Sequence, residues 1–214
     1  MNYQRAREVM VRHQIRDRGL LDPRLLAAFR AVPREEFVPD PYRDLAAADS
    51  ALPIGEEQTI SQPYVVALMT DALRLQPGHK ILEIGTGSGY QAAILAELDA
   101  RVFSIERLDP LRRRAQKTLR RLGYDDVRLR TGDGTLGWPE EAPFDGILVT
   151  AAGPTIPNTL LDQLRVGGHL IFPLAQNHHQ ILVRITRQPD GLFTRDELAR
   201  VAFVPLIGQE AYPS

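Results

Sequence analysis

Residues 81–90, ILEIGTGSGY, join a short apolar strand to three glycines spaced two apart, and a helical pattern follows. This order predicts a tight strand-to-helix turn in which a ligand lies against bare backbone. A dinucleotide site typically has the spacing G-x-G-x-x-G, whereas this turn has G-x-G-x-G. The carboxylate of Glu83, just before the glycines, would repel a pyrophosphate and attract a cation. S-adenosylmethionine (SAM), which carries a sulfonium and an ammonium group, is therefore the predicted cofactor.

Strands and helices alternate from Lys80 onward, which indicates parallel strands joined by right-handed helical crossovers. The last part alternates apolar and polar residues around a Pro-Asp-Gly turn at 189–191, which predicts a β-hairpin. We therefore expect an α/β fold of the SAM-dependent methyltransferase type: a Rossmann-like, doubly wound, mostly parallel sheet with a C-terminal β-hairpin. The predicted strands are 80–84, 101–105, 127–131, 145–150, 168–172, 180–188 and 198–206, and the predicted helices are 88–98, 109–122 and 157–164.

The N-terminal third is expected to carry helices that pack on this sheet. Each begins after a residue that can cap a helix, the first ends at Gly19, and loops fill most of residues 33–63. We expect residues 1–75 to form an N-terminal helical extension with a substrate loop, and residues 76–214 to form the cofactor-binding domain. The predicted helices are 3–18 after Asn2, 23–31 after Asp22, and 63–73 after Ser61 or Gln62.

The composition is that of an ordinary globular protein: of 214 residues, 43% are hydrophobic and 25% charged, and the net charge is −1. This charge gives no indication of a nucleic-acid or membrane surface, and no apolar stretch is long enough to cross a bilayer. The N-terminus lacks the apolar core of a signal peptide, and without cysteine neither disulfides nor cysteine metal sites are expected. We expect a cytoplasmic monomer with no metal, nucleic-acid partner or membrane contact.

Two further acidic residues follow the next predicted strands at positions that suit a nucleoside. Glu106 ends the second strand, where a carboxylate can accept hydrogen bonds from both ribose hydroxyls. NAD enzymes use the same arrangement, so Glu106 indicates a nucleoside more than SAM, and alone it could be a surface glutamate. Asp133 and Gly134 end the third strand, where the carboxylate can accept from an adenine amino group. Ligands of such sheets bind beyond the carboxyl ends of the strands, so Glu83, Gly85, Glu106 and Asp133 support one another.

The acceptor of the methyl group is marked less clearly. The Asn/Asp-Pro-Pro-Tyr/Phe motif of enzymes that methylate nucleic-acid bases is missing after the fourth strand. The remaining candidate is residues 58–63, QTISQP, a hydroxyl-rich turn before a helix. Hydroxyl groups and a helix N-terminus both favour an anion such as a carboxylate. Plain N-capping of that helix by Ser61 would explain the same pattern.

Seven segments between Ala51 and Leu206 carry a more specific pattern. They are ALPIG (51–55), QTISQP (58–63), LEIGTGSGYQAA (82–93), GDGTLGWP (132–139), APFD (142–145), VTAA (149–152) and FVPL (203–206). Together they resemble the protein-L-isoaspartate O-methyltransferase family, whose members repair damaged aspartyl and asparaginyl residues. QTISQP combined with EIGTGSGYQAA is highly specific, because SAM enzymes in general share only the second motif, and loosely.

The resemblance implies the reaction and the residues that perform it. SAM would donate a methyl group to the free α-carboxylate of isoaspartyl residues in proteins and peptides, leaving S-adenosyl-L-homocysteine. The resemblance makes Ser61 the active-site serine, in a substrate loop with Thr59 and Ile60. It also places Val204 and Leu206 in the substrate groove. It implies that SAM lies on Glu83, Gly85, Thr86, Gly87, Glu106, Asp133 and Gly134.

Three alternatives stay open at the level of sequence. A methyltransferase for another carboxylate or a small molecule would keep the glycine turn and Glu106 without needing the QTISQP loop. A non-catalytic module would bind SAM without transferring its methyl group. An NAD oxidoreductase is disfavoured by Glu83 and by the missing G-x-G-x-x-G spacing.

Overall fold

The first N-terminal helix forms as its capping signals predict. In the computed structural model, which describes residues 2–213, helix α1 spans Tyr3–Met10. The Asn2 side chain caps it by accepting a hydrogen bond from a backbone N–H of the first turn. A π turn and a 3₁₀ turn continue the helix to Gly19, which ends it in the left-handed conformation with a φ of 94°. The predicted extent of the helix, 3–18, is thus confirmed, although only its first half is regular α-helix.

Helix α2 spans Pro23–Ala31, with the Asp22 side chain as its cap, as predicted. The chain then makes two 3₁₀ helices, Arg34–Phe37 and Asp40–Leu45, in the region that was expected to be loop. Residues of α2 and of the first 3₁₀ helix belong to the same hydrophobic cluster as helices of the cofactor-binding part. The N-terminal segment therefore shares its core with the sheet.

A small β-hairpin, which the sequence did not predict, precedes the third helix. Its strands are β1 (Leu52–Gly55) and β2 (Gln58–Ile60), paired antiparallel. Glu56 and Glu57 make the turn with φ angles of 52° and 57°, a conformation usually signalled by Asn or Gly. Because neither Asn nor Gly occupies these two positions, the sequence pattern predicted a loop here. Helix α3 follows at Pro63–Ala72, as predicted.

One sheet of seven strands forms the centre of the molecule, and its first five strands run parallel. The strands are β3 (Lys80–Ile84), β4 (Arg101–Glu106), β5 (Arg128–Thr131), β6 (Phe144–Val149), β7 (Leu164–Gln176), β8 (His179–Arg187) and β9 (Phe193–Val201). Their order is β5-β4-β3-β6-β7-β8-β9, so the strand order reverses between β3 and β6, which is where such sheets bind ligands. The mostly parallel α/β fold is confirmed, and β8 and β9 complete it as antiparallel neighbours.

The two faces of the sheet are covered unequally. Helices α4 (Tyr90–Glu97) and α5 (Asp109–Arg121) pack with α2 and α3 on one face, whereas the short α6 (Asn158–Asp162) and the C-terminal segment cover the other. Within residues 2–213, no helix has both the length and the apolar character that crossing a membrane requires. Alternate strand residues serve the two faces: Ile81, Val102, Leu148 and Ile171 on the first, and Leu82, Phe103, Ile147 and Leu170 on the second.

The last strand ends earlier than the sequence predicts. The expected bounds were 198–206, whereas β9 spans Phe193–Val201 and the chain then leaves the sheet edge. It crosses to the end of β6, where the Ala152 N–H donates to the Val204 carbonyl and the Leu206 N–H donates to the Ala152 carbonyl, both at 2.8 Å. The extended pattern of this segment therefore reflects pairing with a different part of the chain. Residues 202–206, which we call the C-terminal crossing, lie at the carboxyl ends of the parallel strands.

Candidate active site

A cavity of about 310 Å³ opens beyond the carboxyl ends of β3, β4 and β6. Its wall includes the glycine turn after β3, the ends of β4 and β6, the loop before α3 and the C-terminal crossing. Ten of the twelve residues predicted from the sequence are on its wall; Glu83 and Asp133 are not. The ten are Thr59, Ile60, Ser61, Gly85, Thr86, Gly87, Glu106, Gly134, Val204 and Leu206.

The glycine turn has a conformation that excludes side chains. Gly85 has a φ of 93°, and a Cβ there would lie 2.3 Å from Thr150 Oγ1. The Thr150 hydroxyl donates to the Gly85 carbonyl at 2.7 Å, so the end of β6 holds the turn in place. Gly87 and Gly89 also have positive φ angles, of 53° and 89°. The turn therefore presents bare backbone to the cavity, which allows a ligand to approach closely.

Glu106 connects the end of β4 to the glycine turn and lines the cavity. Its side chain is buried, and its Oε2 accepts a hydrogen bond from the Gly87 N–H at 2.8 Å. Its Oε1 accepts from the Leu108 N–H at 2.9 Å. An ionised carboxylate has about four acceptor positions, so both oxygens can accept again. This geometry fits two neighbouring hydroxyl groups, as on a ribose.

Glu83 lies below the cavity and not on its wall. The residue is 0% exposed; the Ser104 hydroxyl donates to its Oε2 at 2.5 Å, and Thr86 Oγ1 lies 2.6 Å from Ser104 Oγ. Burial raises the pKa of Glu83 to about 8, against the opposing effect of the Ser104 hydrogen bond, so the group is mostly neutral at pH 7. The expectation that a Glu83 carboxylate faces a cationic ligand directly is corrected, because the side chain points into the sheet core.

Asp133 holds the C-terminal segment. Its Oδ1 accepts from the N–H and the hydroxyl of Thr135 at 2.8 and 2.7 Å, and its Oδ2 accepts from the Gln209 N–H at 2.8 Å. Gly134 beside it does line the cavity, and a Cβ there would lie 2.3 Å from an Ile84 methyl group. The backbone at Gly134, and not the Asp133 side chain, forms this wall. A contact from Asp133 to an adenine amino group stays a prediction.

A second cavity, which we call the groove, adjoins the first and has a volume of about 490 Å³. Its walls come from residues 49–51, the loop before α3, the end of β9 and the C-terminal crossing. Ile60 and Leu206 line only the first cavity, so two of the predicted substrate contacts lie on the cofactor side. The residues that line both cavities, called here the shared wall, are Thr59, Ser61, Thr150 and Val204.

Ser61 belongs to the shared wall and is not a helix cap. Helix α3 begins at Pro63, its N-cap residue is Gln62, and no side chain makes a capping hydrogen bond. The alternative interpretation of Ser61 as a plain N-cap is therefore wrong. The half-buried Ser61 hydroxyl lies where a ligand of either cavity could reach it.

Sequence reasoning missed three residues that the fold brings to these cavities: Thr150, Gln91 and Arg200. Thr150 lies within the VTAA segment and Gln91 near the end of the LEIGTGSGYQAA segment, but nothing in those patterns indicates that their side chains turn toward a ligand. Arg200 carries no motif at all, and it reaches the groove because β9 ends there.

The residues around the two cavities suit binding and orientation more than proton transfer. None of the residues lining either cavity is a histidine or a lysine. Across residues 2–213, no three His, Cys, Asp or Glu side chains come together in a way that could hold a metal ion. Hydroxyl groups, backbone and a few charged side chains therefore carry the chemistry of this site.

A mostly parallel sheet, a glycine turn at its switch point and a carboxylate at the next strand end define a Rossmann-like protein of the SAM-dependent methyltransferase class. The family model described as Protein-L-isoaspartate(D-aspartate) O-methyltransferase matches residues 5–211. The chain belongs to this family. The resemblance seen in the seven sequence segments is thus confirmed.

Named relatives and solved structures agree with this assignment. The Protein-L-isoaspartate O-methyltransferase 1 of Syntrophobacter fumaroxidans is 54% identical, over 98% of this chain and 97% of its own. The Geobacter metallireducens enzyme of the same name is 52% identical over the same shares. One solved protein-L-isoaspartate O-methyltransferase has a TM-score of 0.87 at 30% identity, covering 96% of this chain and 67% of its own. A Plasmodium falciparum structure described as this methyltransferase, in complex with S-adenosyl-L-homocysteine, has a TM-score of 0.82 at 25% identity, covering 97% and 99%.

Proposed function

We propose that this chain is an enzyme that transfers a methyl group from SAM to the free α-carboxylate of L-isoaspartyl residues in damaged proteins and peptides. The backbone amide nitrogen of the following residue then attacks the ester carbonyl and expels methanol, which forms a succinimide; its hydrolysis returns some normal aspartate, so repair proceeds by repeated cycles. The observation that carries the proposal is the shared wall. A cofactor in the first cavity and a peptide in the groove would meet at Ser61.

The residues of the first cavity fit the cofactor. Bare backbone at the glycine turn admits the amino-acid part and the ribose, Glu106 offers acceptors to two hydroxyls, and the Gly134 backbone admits a flat ring. SAM supplies, when bound, an activated methyl group on a sulfonium. Glu83 would act on this ligand only through Ser104 and Thr86, which lie between it and the cavity.

The acceptor needs orientation and no general base. A free α-carboxylate has a pKa of roughly 3.3–3.7 and is already an anion at pH 7. Ser61 would donate a hydrogen bond to one carboxylate oxygen and so hold the other toward the methyl group. Ser61 is not expected to be a covalent nucleophile, because no histidine among the lining residues could activate it.

The main catalytic effect is therefore positioning. Methyl transfer to an anion requires the attacking oxygen, the methyl carbon and the leaving sulfur in line, and such positioning can lower a barrier by about 7–11 kcal/mol. A monomer as the active form stays a prediction. Its cytoplasmic location stays a prediction.

The test compares two peptides that differ only in isoaspartate or aspartate at one position, incubated with the protein and methyl-labelled SAM. We expect base-labile label on the isoaspartyl peptide alone, since a carboxyl methyl ester hydrolyses readily. Label on both peptides, or on neither while the protein still binds S-adenosyl-L-homocysteine, would mean that the acceptor is a different molecule.

A further inference from the structure

The first cavity contains a polar side chain that the proposed function does not yet use. Gln91 is the second residue of α4, directly after the glycine turn, and lines the cavity although the residue is only 7% exposed. Buried polar groups in folded proteins are almost always hydrogen-bonded. The partners of its two amide atoms therefore indicate what each atom can bind.

One of the two hydrogens on the Gln91 amide nitrogen is bonded within the protein. The Thr70 hydroxyl donates its single hydrogen to the Val66 carbonyl at 2.8 Å, within helix α3. Thr70 Oγ1 can then only accept from Gln91, whose Nε2 lies 2.9 Å away. This chain of two hydrogen bonds determines the orientation of the amide, and it turns Oε1 away from Thr70.

The amide oxygen of Gln91 has no hydrogen-bond partner among residues 2–213, whereas the amide nitrogen has one. No group within residues 2–213 donates a hydrogen bond to this oxygen. Oε1 of Glu83 also has no partner but is fully buried, whereas Oε1 of Gln91 is accessible from the cavity. An amide oxygen accepts hydrogen bonds and cannot donate, so it suits an ammonium group and would repel a carboxylate. Since Glu83 is sealed and mostly neutral at pH 7, it cannot take this role by direct contact.

Gln91 and the proposed ribose site at Glu106 belong to different parts of one cavity wall. Glu106 and Gly134 mark the nucleoside end, beyond β4 and β5. Gln91 bonds to Thr70 of α3, and Val66 and Met69 of the same helix line the cavity with it. Because both residues line one cavity, a ligand with its ribose on Glu106 can have its amino-acid part at Gln91.

We propose that Gln91 Oε1 accepts a hydrogen bond from the α-ammonium group of the methionine part of SAM, with Thr70 orienting the amide. This inference rests on the proposed function only in requiring that SAM occupies the first cavity. It makes Gln91 a cofactor-binding residue with a defined polarity, which replaces the direct role that the sequence assigned to Glu83.

The experiment measures binding of two ligands by calorimetry to the wild type and to Gln91→Met, which keeps the length of the side chain and removes the acceptor. S-adenosyl-L-homocysteine has the α-ammonium, whereas 5′-methylthioadenosine has the same nucleoside and thioether without the amino-acid part. A hydrogen bond to a charged group corresponds to roughly ten- to a hundredfold in affinity. We expect such a loss for S-adenosyl-L-homocysteine and no change for 5′-methylthioadenosine.

Two further variants keep the test decisive. Gln91→Asn retains the amide but withdraws it by one methylene, so it should reproduce the selective loss if Gln91→Met does not fold. Thr70→Val removes only the orienting hydroxyl and should weaken S-adenosyl-L-homocysteine binding by a smaller factor. Equal losses for both ligands, or no loss for either, would overturn the proposal. Failure of the wild type to bind either ligand would instead contradict the proposed function.

Discussion

The two cavities that meet at Ser61 are built in different ways. The cofactor cavity takes most of its wall from the ends of neighbouring parallel strands and from one continuous segment, residues 84–91. The groove takes its wall from residues 49–51, 59–65 and 200–204, which are far apart in the chain. A local sequence motif can therefore describe much of the first cavity, whereas the second is built from segments that only the folded chain brings together. Changes to the first should act on cofactor binding, and changes to the second on turnover or peptide preference.

The largest effect is expected from Gly85→Ala, which tests how rigidly the cofactor cavity is built. The added Cβ would lie 2.3 Å from Thr150 Oγ1, at a residue whose φ is 93°. Backbone strain of about 1–3 kcal/mol and a steric clash of similar size should together abolish detectable S-adenosyl-L-homocysteine binding. Gly123→Ala is the matched control, since Gly123 has a φ of 86° but open space around its Cβ position. Equal effects of the two variants would show that the contact with Thr150 does not matter.

The next effect tests the separation between binding and turnover at the shared wall. Ser61→Ala removes the proposed hydrogen bond to the acceptor carboxylate, and a bond to a charged group corresponds to roughly ten- to a hundredfold. We expect turnover on an isoaspartyl peptide to fall by that factor while the dissociation constant of S-adenosyl-L-homocysteine stays the same. Ser50→Ala, on the wall of the groove but not on the shared wall, should leave turnover nearly unchanged. A large loss of cofactor affinity in Ser61→Ala would mean that the loop shapes the cofactor cavity instead.

The burial of Glu83 predicts a pH-dependent stability. Its pKa in the folded protein, about 8, lies above its ordinary value of 4.5, so the folded state retains the proton that the unfolded state loses. The contribution of Glu83 to stability is complete below pH 4.5 and declines as the pH rises toward 8, by up to about 1.4 kcal/mol per pH unit. Glu83→Gln removes this titration, so the variant should gain stability relative to the wild type as the pH rises over this range.

Denaturant unfolding of the ligand-free proteins at pH 4, 6 and 8 would measure this difference. Parallel stability profiles for the wild type and Glu83→Gln would contradict the burial of Glu83. The same variant distinguishes the two assignments of the cofactor cation, because a direct contact would make Glu83→Gln weaken S-adenosyl-L-homocysteine binding, whereas the sealed position predicts little change.

The smallest effect concerns the charge of the groove. Arg18 and Gln62 hold the carboxylate of Asp49 at 3.3 and 2.8 Å, while residues 2–213 provide no ion pair to Arg200. Arg200→Gln should therefore lower kcat/KM a few-fold for isoaspartyl peptides with a neighbouring glutamate, and less so at high salt or when that residue is glutamine. Arg195→Gln, on the same strand outside the groove, is the matched control. An equal response of both peptides would show that Arg200 does not read peptide charge.

Much of the cofactor side could be predicted because its signals are local. The caps at Asn2 and Asp22 and the alternation from Lys80 onward each depend on a few neighbouring residues, and the structure confirms the elements they predicted. The misses have physical causes as well. The turn at Glu56 lacks the residues that usually signal it, and residues 202–206 have a strand pattern because they pair with the end of β6.

The sequence by itself determined the alternation of strands and helices, the glycine turn and the position of Glu106, because periodicity, capping and glycine spacing act over short distances. The resemblance of its seven segments indicated the family. Only the tertiary structure decided that the Glu83 side chain is fully buried, that Thr70 orients the Gln91 amide, and that Val204 lies with Ser61 on the shared wall. The reason is that burial and ligand-facing orientation depend on which distant segments pack together. A helix or strand pattern specifies which side of an element is apolar, but it does not specify what will cover that side.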